Sequence, residues 1–204
     1  MSNSLTPNPT GRGVRPGYLV AALVIASMMG LGGLTNGCHI LQFYRQDTHP
    51  SPAADSRMTP DLAARVEMVH QARVQALNAN ARRMIPLAAA NTILSLLLIA
   101  AASGALAGRA RSHWLALQAV AANFAFTIVD YVLERPLRSI LIDAASRPPP
   151  GFAPGPDTPP ASMGWWFFRS VLAVQLVTLA LIALALTRPR VLAWLDTQQP
   201  EQES

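Results

Sequence analysis

Four polar residues, Asn123, Thr127, Asp130 and Glu134, follow one another at spacings of four, three and four positions. On an α-helix that spacing puts all of them on one face. The residues between them are Phe, Ala, Ile, Val, Tyr and Leu, so the helix is apolar apart from this stripe and ends in two carboxylates. A stripe of this kind has two uses in an apolar setting. It can join helices through hydrogen bonds and ion pairs, or it can floor a site for a solute, an ion, a proton or a lipid.

The rest of the chain determines what surrounds the stripe. Of 204 residues, 51% are hydrophobic and 13% are charged, against about 25% charged in an ordinary soluble domain. Four long apolar runs account for the deficit and indicate a membrane protein. All 16 basic residues are Arg, and Ala and Pro are abundant, which fits a GC-rich, bacterial coding sequence and an inner (plasma) membrane. The net charge of +5 is spread over tails and loops. No basic block alternates with aromatics, so the expected partner is the lipid bilayer and no nucleic acid is expected.

The first span is expected at residues 18–41, after a basic tail at 1–17. Within it Ala22, Ala26, Gly30, Gly33 and Gly37 share a face and include a GxxxG spacing. Small residues let helix backbones approach closely, either inside one chain or between two copies or partners. Residues 42–83 form a connector, with Thr59-Pro60-Asp61 as a helix start. From there an amphipathic helix over 60–83 should run into the second span, 84–107, with no loop. Pro86 lies near that entrance, and Asn91 and Ser95 are the span's inward polar residues. A short basic turn at 108–113 forces the third span, 114–134, to lie antiparallel beside the second. In the loop at 135–163, a short interfacial helix is expected over 136–145, since LRSILIDAA (137–145) is amphipathic, and a proline-rich linker follows. The fourth span, 164–187, begins with the aromatic belt Trp165, Trp166, Phe167 and Phe168. Residues 188–204 are the C-terminal tail. The fold class expected is therefore all-α: a four-transmembrane-helix bundle with an amphipathic extramembrane helix continuous with the second span.

Four spans put both termini on one side. A raw count of Arg favours the loop side as cytoplasmic. The termini side nonetheless has a dense set close to the span ends, namely Arg12, Arg15, Arg109, Arg111, Arg188 and Arg190, and both termini are expected inside.

Depth then suggests partners for the stripe. Asp130 lies four residues from the loop-side end of its span and Arg169 five from the start of the fourth. An ion pair between them is expected, with Glu134 as a second acceptor. Asn123 and Gln175 are each eleven residues deep, which suggests an amide hydrogen bond. The ligand or ion-pair candidates are thus Asp130, Glu134, Arg169, Asn123, Gln175 and Asn91, all in the loop-side half. The other half is mostly Leu, Ala and Val, which argues against a continuous conducting path. The sequence has no HExxH, GxSxG or P-loop, so no catalytic residue, cofactor or metal is expected; a cluster of Cys38, His39 and His70 would follow no zinc spacing. The expected role is non-enzymatic: an accessory, scaffold or sensor-like subunit acting through helix contacts with a protein partner or a second copy. The alternative is a membrane protein that binds a small solute, ion or lipid at Asp130, Glu134 and Arg169.

Overall fold

The computed structural model describes residues 16–46, 59–109, 112–148, 151 and 160–191. The N-terminal tail, most of the connector before residue 59, the body of the proline-rich linker and the tail after residue 191 lie outside these. Among the described residues there are six helices and no strand: α1 (Gly17–Phe43), α2 (Pro60–Ala79), α3 (Ala81–Leu106), α4 (Ser112–Leu133), α5 (Arg135–Ser146) and α6 (Ala161–Leu186). Four of them, α1, α3, α4 and α6, are long and apolar enough to cross a membrane.

Their surfaces have the polarity such a setting requires. Val24, Met28, Ile93, Trp114, Val174 and Leu181 are among the large apolar side chains that point outward. Only 11% of the most apolar stretch of α6 is buried. A water-soluble helix would hide such a stretch. Hydroxyls on these helices bond to their own backbone: Ser27 donates to the Leu23 carbonyl, Thr35 to Leu31 and Thr178 to Val174. Such bonds satisfy these hydroxyls without water.

The helices pack α1 on α3, α3 on α4, α4 on α6 and α6 back on α1. The most extensive contact is between α1 and α3, and the small-residue face of α1 makes it. A side-chain carbon at Gly30 would meet Ile99 and the Ser95 carbonyl, and one at Gly33 would meet Ser95 and Asn91. One at Gly37 would meet Thr92 and the Ala88 carbonyl. Ala22 and Ala26 are buried in the same seam. The face is therefore used inside the chain, where Asn91 Nδ2 also donates to the Gly33 carbonyl at 3.1 Å.

The apolar core occupies one end of this assembly. It comprises the start of α1 (Leu19, Leu23, Ala26), the end of α3 (Leu98, Ala102), the start of α4 (Ala116, Ala119, Val120) and the end of α6 (Leu179, Ile182, Leu186). His113, buried at the start of α4, donates through Nε2 to the Leu186 carbonyl at 2.7 Å. Leu186 is the last residue of α6, where helix carbonyls lack intrahelical donors, so the imidazole caps α6 from α4.

The outer segment differs from expectation in one respect. A helix without interruption was expected from residue 60 into the second span, but α2 stops at Ala79 and α3 starts at Ala81. Between them Asn80 has φ −109° and ψ 13°. Its side-chain amide donates to the Ala76 carbonyl at 2.8 Å, the same oxygen that its backbone N–H reaches at 3.2 Å. The side chain thus competes with the backbone for that carbonyl, at a residue whose φ and ψ have left the helical range. On its own side of the break α2 packs on α5. The Tyr44 hydroxyl donates to the Leu77 carbonyl at 2.8 Å and fastens the end of α1 to that of α2.

Candidate functional site

The end of the assembly opposite the apolar core is hollow. A cavity of about 450 Å³ lies among α1, α3, α4, α6 and the foot of α5. Asn36 of α1, Asn91 and Ser95 of α3, Asn123 and Asp130 of α4, and Gln175 of α6 line it, together with Glu134 and Arg138 at the α4–α5 junction. Leu98 and Leu179, which belong to the packed core, form its apolar floor.

The polar groups differ in how far they are already engaged. Asn123 Nδ2 donates to the Ala119 carbonyl at 2.8 Å and to the Leu94 carbonyl of α3 at 3.2 Å. Its donors are used on backbone, and its oxygen takes no partner among the described residues. The Thr127 hydroxyl is likewise used, on the Asn123 carbonyl at 2.8 Å. Asp130 differs from both: it is half-buried, it lines the cavity, and its carboxylate makes no hydrogen bond or salt bridge among the described residues.

The charged member that organises the upper wall is Arg138. It is 7% exposed. Nη2 donates to Glu134 Oε2 at 2.9 Å and Nη1 to the Tyr131 carbonyl at 2.7 Å. The guanidinium also lies over the Tyr131 ring, 4.3 Å from its centroid, and 5.6 Å from that of Phe168. The local sequence explains this position. Pro136 has no N–H to continue the α4 ladder, so α4 ends at Leu133 and α5 starts at Arg135. That junction leaves late α4 carbonyls without donors, and Arg138 supplies one to Tyr131. Glu134 and Arg138 are an i,i+4 pair with the acid first, the favourable order on a helix.

Two expected contacts are not formed. Arg169 does not pair with Asp130: it is exposed and lies in a separate cleft beside Arg135 and Trp165. Equal depth fixes height but not rotation about the helix axis. Phe168, Val171, Leu172, Gln175 and Leu179 form the α6 face that lines the cavity. Arg169 is one residue, about 100° of rotation, away from Phe168. Nor does Gln175 bond to Asn123, although both line the cavity; the Asn123 amide donates to backbone instead. Arg169 and Gln175 are six residues apart, about 120° in rotation, and could not both face α4. That arithmetic was available in the sequence.

Of the remaining candidates, Asp130, Glu134, Asn123, Gln175 and Asn91 all meet at one cavity. Arg138 was missed because it follows Pro136 and reads as a charge that merely ends a span. The i,i+4 spacing from Glu134 was the signal that could have found it. Among the described residues no three His, Cys, Asp or Glu side chains gather as a metal site. No protein-family model, curated protein or solved structure matches the chain.

Proposed function

We propose that this is an integral membrane protein whose four apolar helices form a bundle across the bilayer and whose loop-side cavity binds a small cationic solute. The observation that carries this reading is the Asp130 carboxylate, half-buried at a polar cavity and without a protein partner among the described residues. A charge within a span is costly unless something compensates it. The cavity holds two carboxylates, Asp130 and Glu134, against one guanidinium, Arg138. Since Glu134 is paired with Arg138, Asp130 is left to attract a cation. The Asn123 oxygen, Asn36 and Gln175 add hydrogen-bonding capacity around it. The apolar floor of Leu98 and Leu179 favours a binding site closed at one end over a conducting path. An accessory or scaffold role would need a surface other than the small-residue face of α1, which α3 covers.

The test is thermal unfolding of the purified protein in detergent with methylammonium, guanidinium and choline as probes. A cation at a hundred times its Kd adds about 2.7 kcal/mol, or about 5–10 °C for a chain of this size. Asp130→Asn, which keeps shape and removes charge, is expected to abolish that shift. No shift with any of the three cations, or an equal shift in Asp130→Asn, would sink the proposal.

We place both termini on the cytoplasmic side. In a Cys38→Ala background, Gln75→Cys on α2 and Arg109→Cys in the short turn, both exposed positions, distinguish the two orientations in intact cells. Labelling by an impermeant maleimide is expected at position 75 alone; labelling at 109 alone would reverse the topology.

A further inference from the structure

A second cleft, of about 690 Å³, opens between the α4–α5 junction and the first turns of α6. Its lining includes Arg135, Arg138 and Arg169, with Trp165, Trp166 and Ser162, and contains no acidic residue. Arg135 and Arg169 are exposed, and neither has a carboxylate within salt-bridge distance among the described residues. Two unpaired guanidiniums therefore converge beside a third that is held in place by Glu134 and Tyr131. Such a concentration of like charge is unfavourable until an anion occupies it.

Arg169 makes the case strongest. It lies eight residues into α6, about 12 Å along the helix axis from Ala161. A cation at that depth is costly unless it pairs or reaches the interface. Helical side chains lean toward the helix N-terminus, which carries its guanidinium toward the loop-side surface and the Ser162 hydroxyl. The positive end of the α6 dipole adds to the field there. The rim of the cleft is apolar: Val132 is 62% exposed and Trp166 66% exposed. The cleft thus joins a strongly cationic pocket at the interface to an apolar outer wall.

We propose that this cleft binds the headgroup phosphate of an anionic phospholipid, with its acyl chains lying along Val132 and Trp166. Guanidiniums suit phosphate because their paired N–H donors match its oxygens. Basic pockets between helices at the interface recognise acidic lipid headgroups on the same grounds. The apolar rim favours a lipid over free phosphate, which would gain nothing from it. The proposal rests on the four-span reading but not on the cation site.

The experiment is native mass spectrometry of the full chain in detergent with added dioleoylphosphatidylglycerol or dioleoylphosphatidylcholine, repeated with thermal unfolding as the readout. The wild type is expected to retain phosphatidylglycerol in preference to phosphatidylcholine. Each arginine near the surface contributes about fivefold to the binding of an anionic lipid. Arg135→Gln with Arg169→Gln should therefore lower retention about thirtyfold, while Arg82→Gln, an exposed arginine elsewhere, should leave it unchanged. Equal retention of the two lipids overturns the proposal, as does equal loss in the Arg82 control. A rise in melting temperature with inorganic phosphate equal to that with phosphatidylglycerol would assign the cleft to soluble phosphate and overturn the lipid. If the double glutamine variant does not fold, Arg135→Lys with Arg169→Lys keeps the charge but removes the fork, and its preference for phosphatidylglycerol should be weaker than wild type; an unchanged preference counts against the site. Incorporation into phosphatidylcholine nanodiscs without lipid preference would remove the headgroup site and leave the four-span reading standing.

Discussion

Gly37→Val is expected to eliminate the folded protein, whereas Gly32→Ala, five residues earlier on the same helix, should be neutral or slightly stabilising. At Gly37 an added Cβ would lie 2.9 Å from the Ala88 carbonyl oxygen and 3.3 Å from the Thr92 nitrogen, both backbone atoms of α3. Backbone in a helix cannot turn aside as a side chain can. The two helices would have to separate, opening the longest seam in the molecule and the Asn91–Gly33 hydrogen bond within it. Overpacking costs about 1–3 kcal/mol for a methylene or two, so even Gly37→Ala should lower the melting temperature by about 2–12 °C. Valine, with two further methyls, should exceed that. Gly32 has nothing within 4 Å of the same probe position, and alanine there gains up to about 1 kcal/mol of helix propensity. Melting curves from fluorescence-detected size exclusion would decide the matter. Equal melting temperatures for Gly37→Ala and Gly32→Ala would mean that α1 and α3 do not meet at this seam.

The second large effect is expected at Arg138. Arg138→Met keeps much of the side-chain volume and removes the guanidinium. It leaves Glu134, whose side chain is 18% exposed, without its counter-charge, and the Tyr131 carbonyl without its donor. Breaking one half of a buried pair typically costs about 3–5 kcal/mol, because the remaining charge is stranded, while replacing both halves costs far less. The expected signature is therefore non-additive. Glu134→Gln combined with Arg138→Met should be more stable than Arg138→Met alone, by about 1–3 kcal/mol in a double-mutant cycle. Additive losses would show that the two residues act independently and that the Glu134–Arg138 pair does not hold the α4–α5 junction. The same variants bear on the cavity. With Arg138 gone, Glu134 and Asp130 present two uncompensated carboxylates, and any cation bound there should bind more tightly in whatever fraction stays folded.

Much of this arrangement was legible in the residues. Long apolar runs with few charges can only be satisfied as helices when water is absent, because every backbone group must find its partner within the segment. The four long helices follow from that constraint alone. The stripe of Asn123, Thr127, Asp130 and Glu134 was visible because helical periodicity places such residues on one face whatever surrounds the helix. The small-residue face of α1 was visible for the same reason. The break at Asn80 was not, since an asparagine can sit in a helix or interrupt it, and only its backbone angles, φ −109° and ψ 13°, show which.

The partners of those faces are another matter. The sequence by itself determined how many long apolar helices the chain has, which residues lie on one face of each, and that the polar residues concentrate toward the loop side. Those properties depend on composition and on 3.6-residue periodicity, both of them local. Only the tertiary structure decided that α1 uses its glycines on α3, that Arg169 does not meet Asp130, and that Asp130 is left facing a cavity. Each of these depends on the rotation of one helix about its axis relative to another, which packing at the whole seam selects. Depth along a span can be counted from its ends; rotation cannot, and a single residue of offset, about 100°, moves Arg169 from the Asp130 cavity to a cleft of its own.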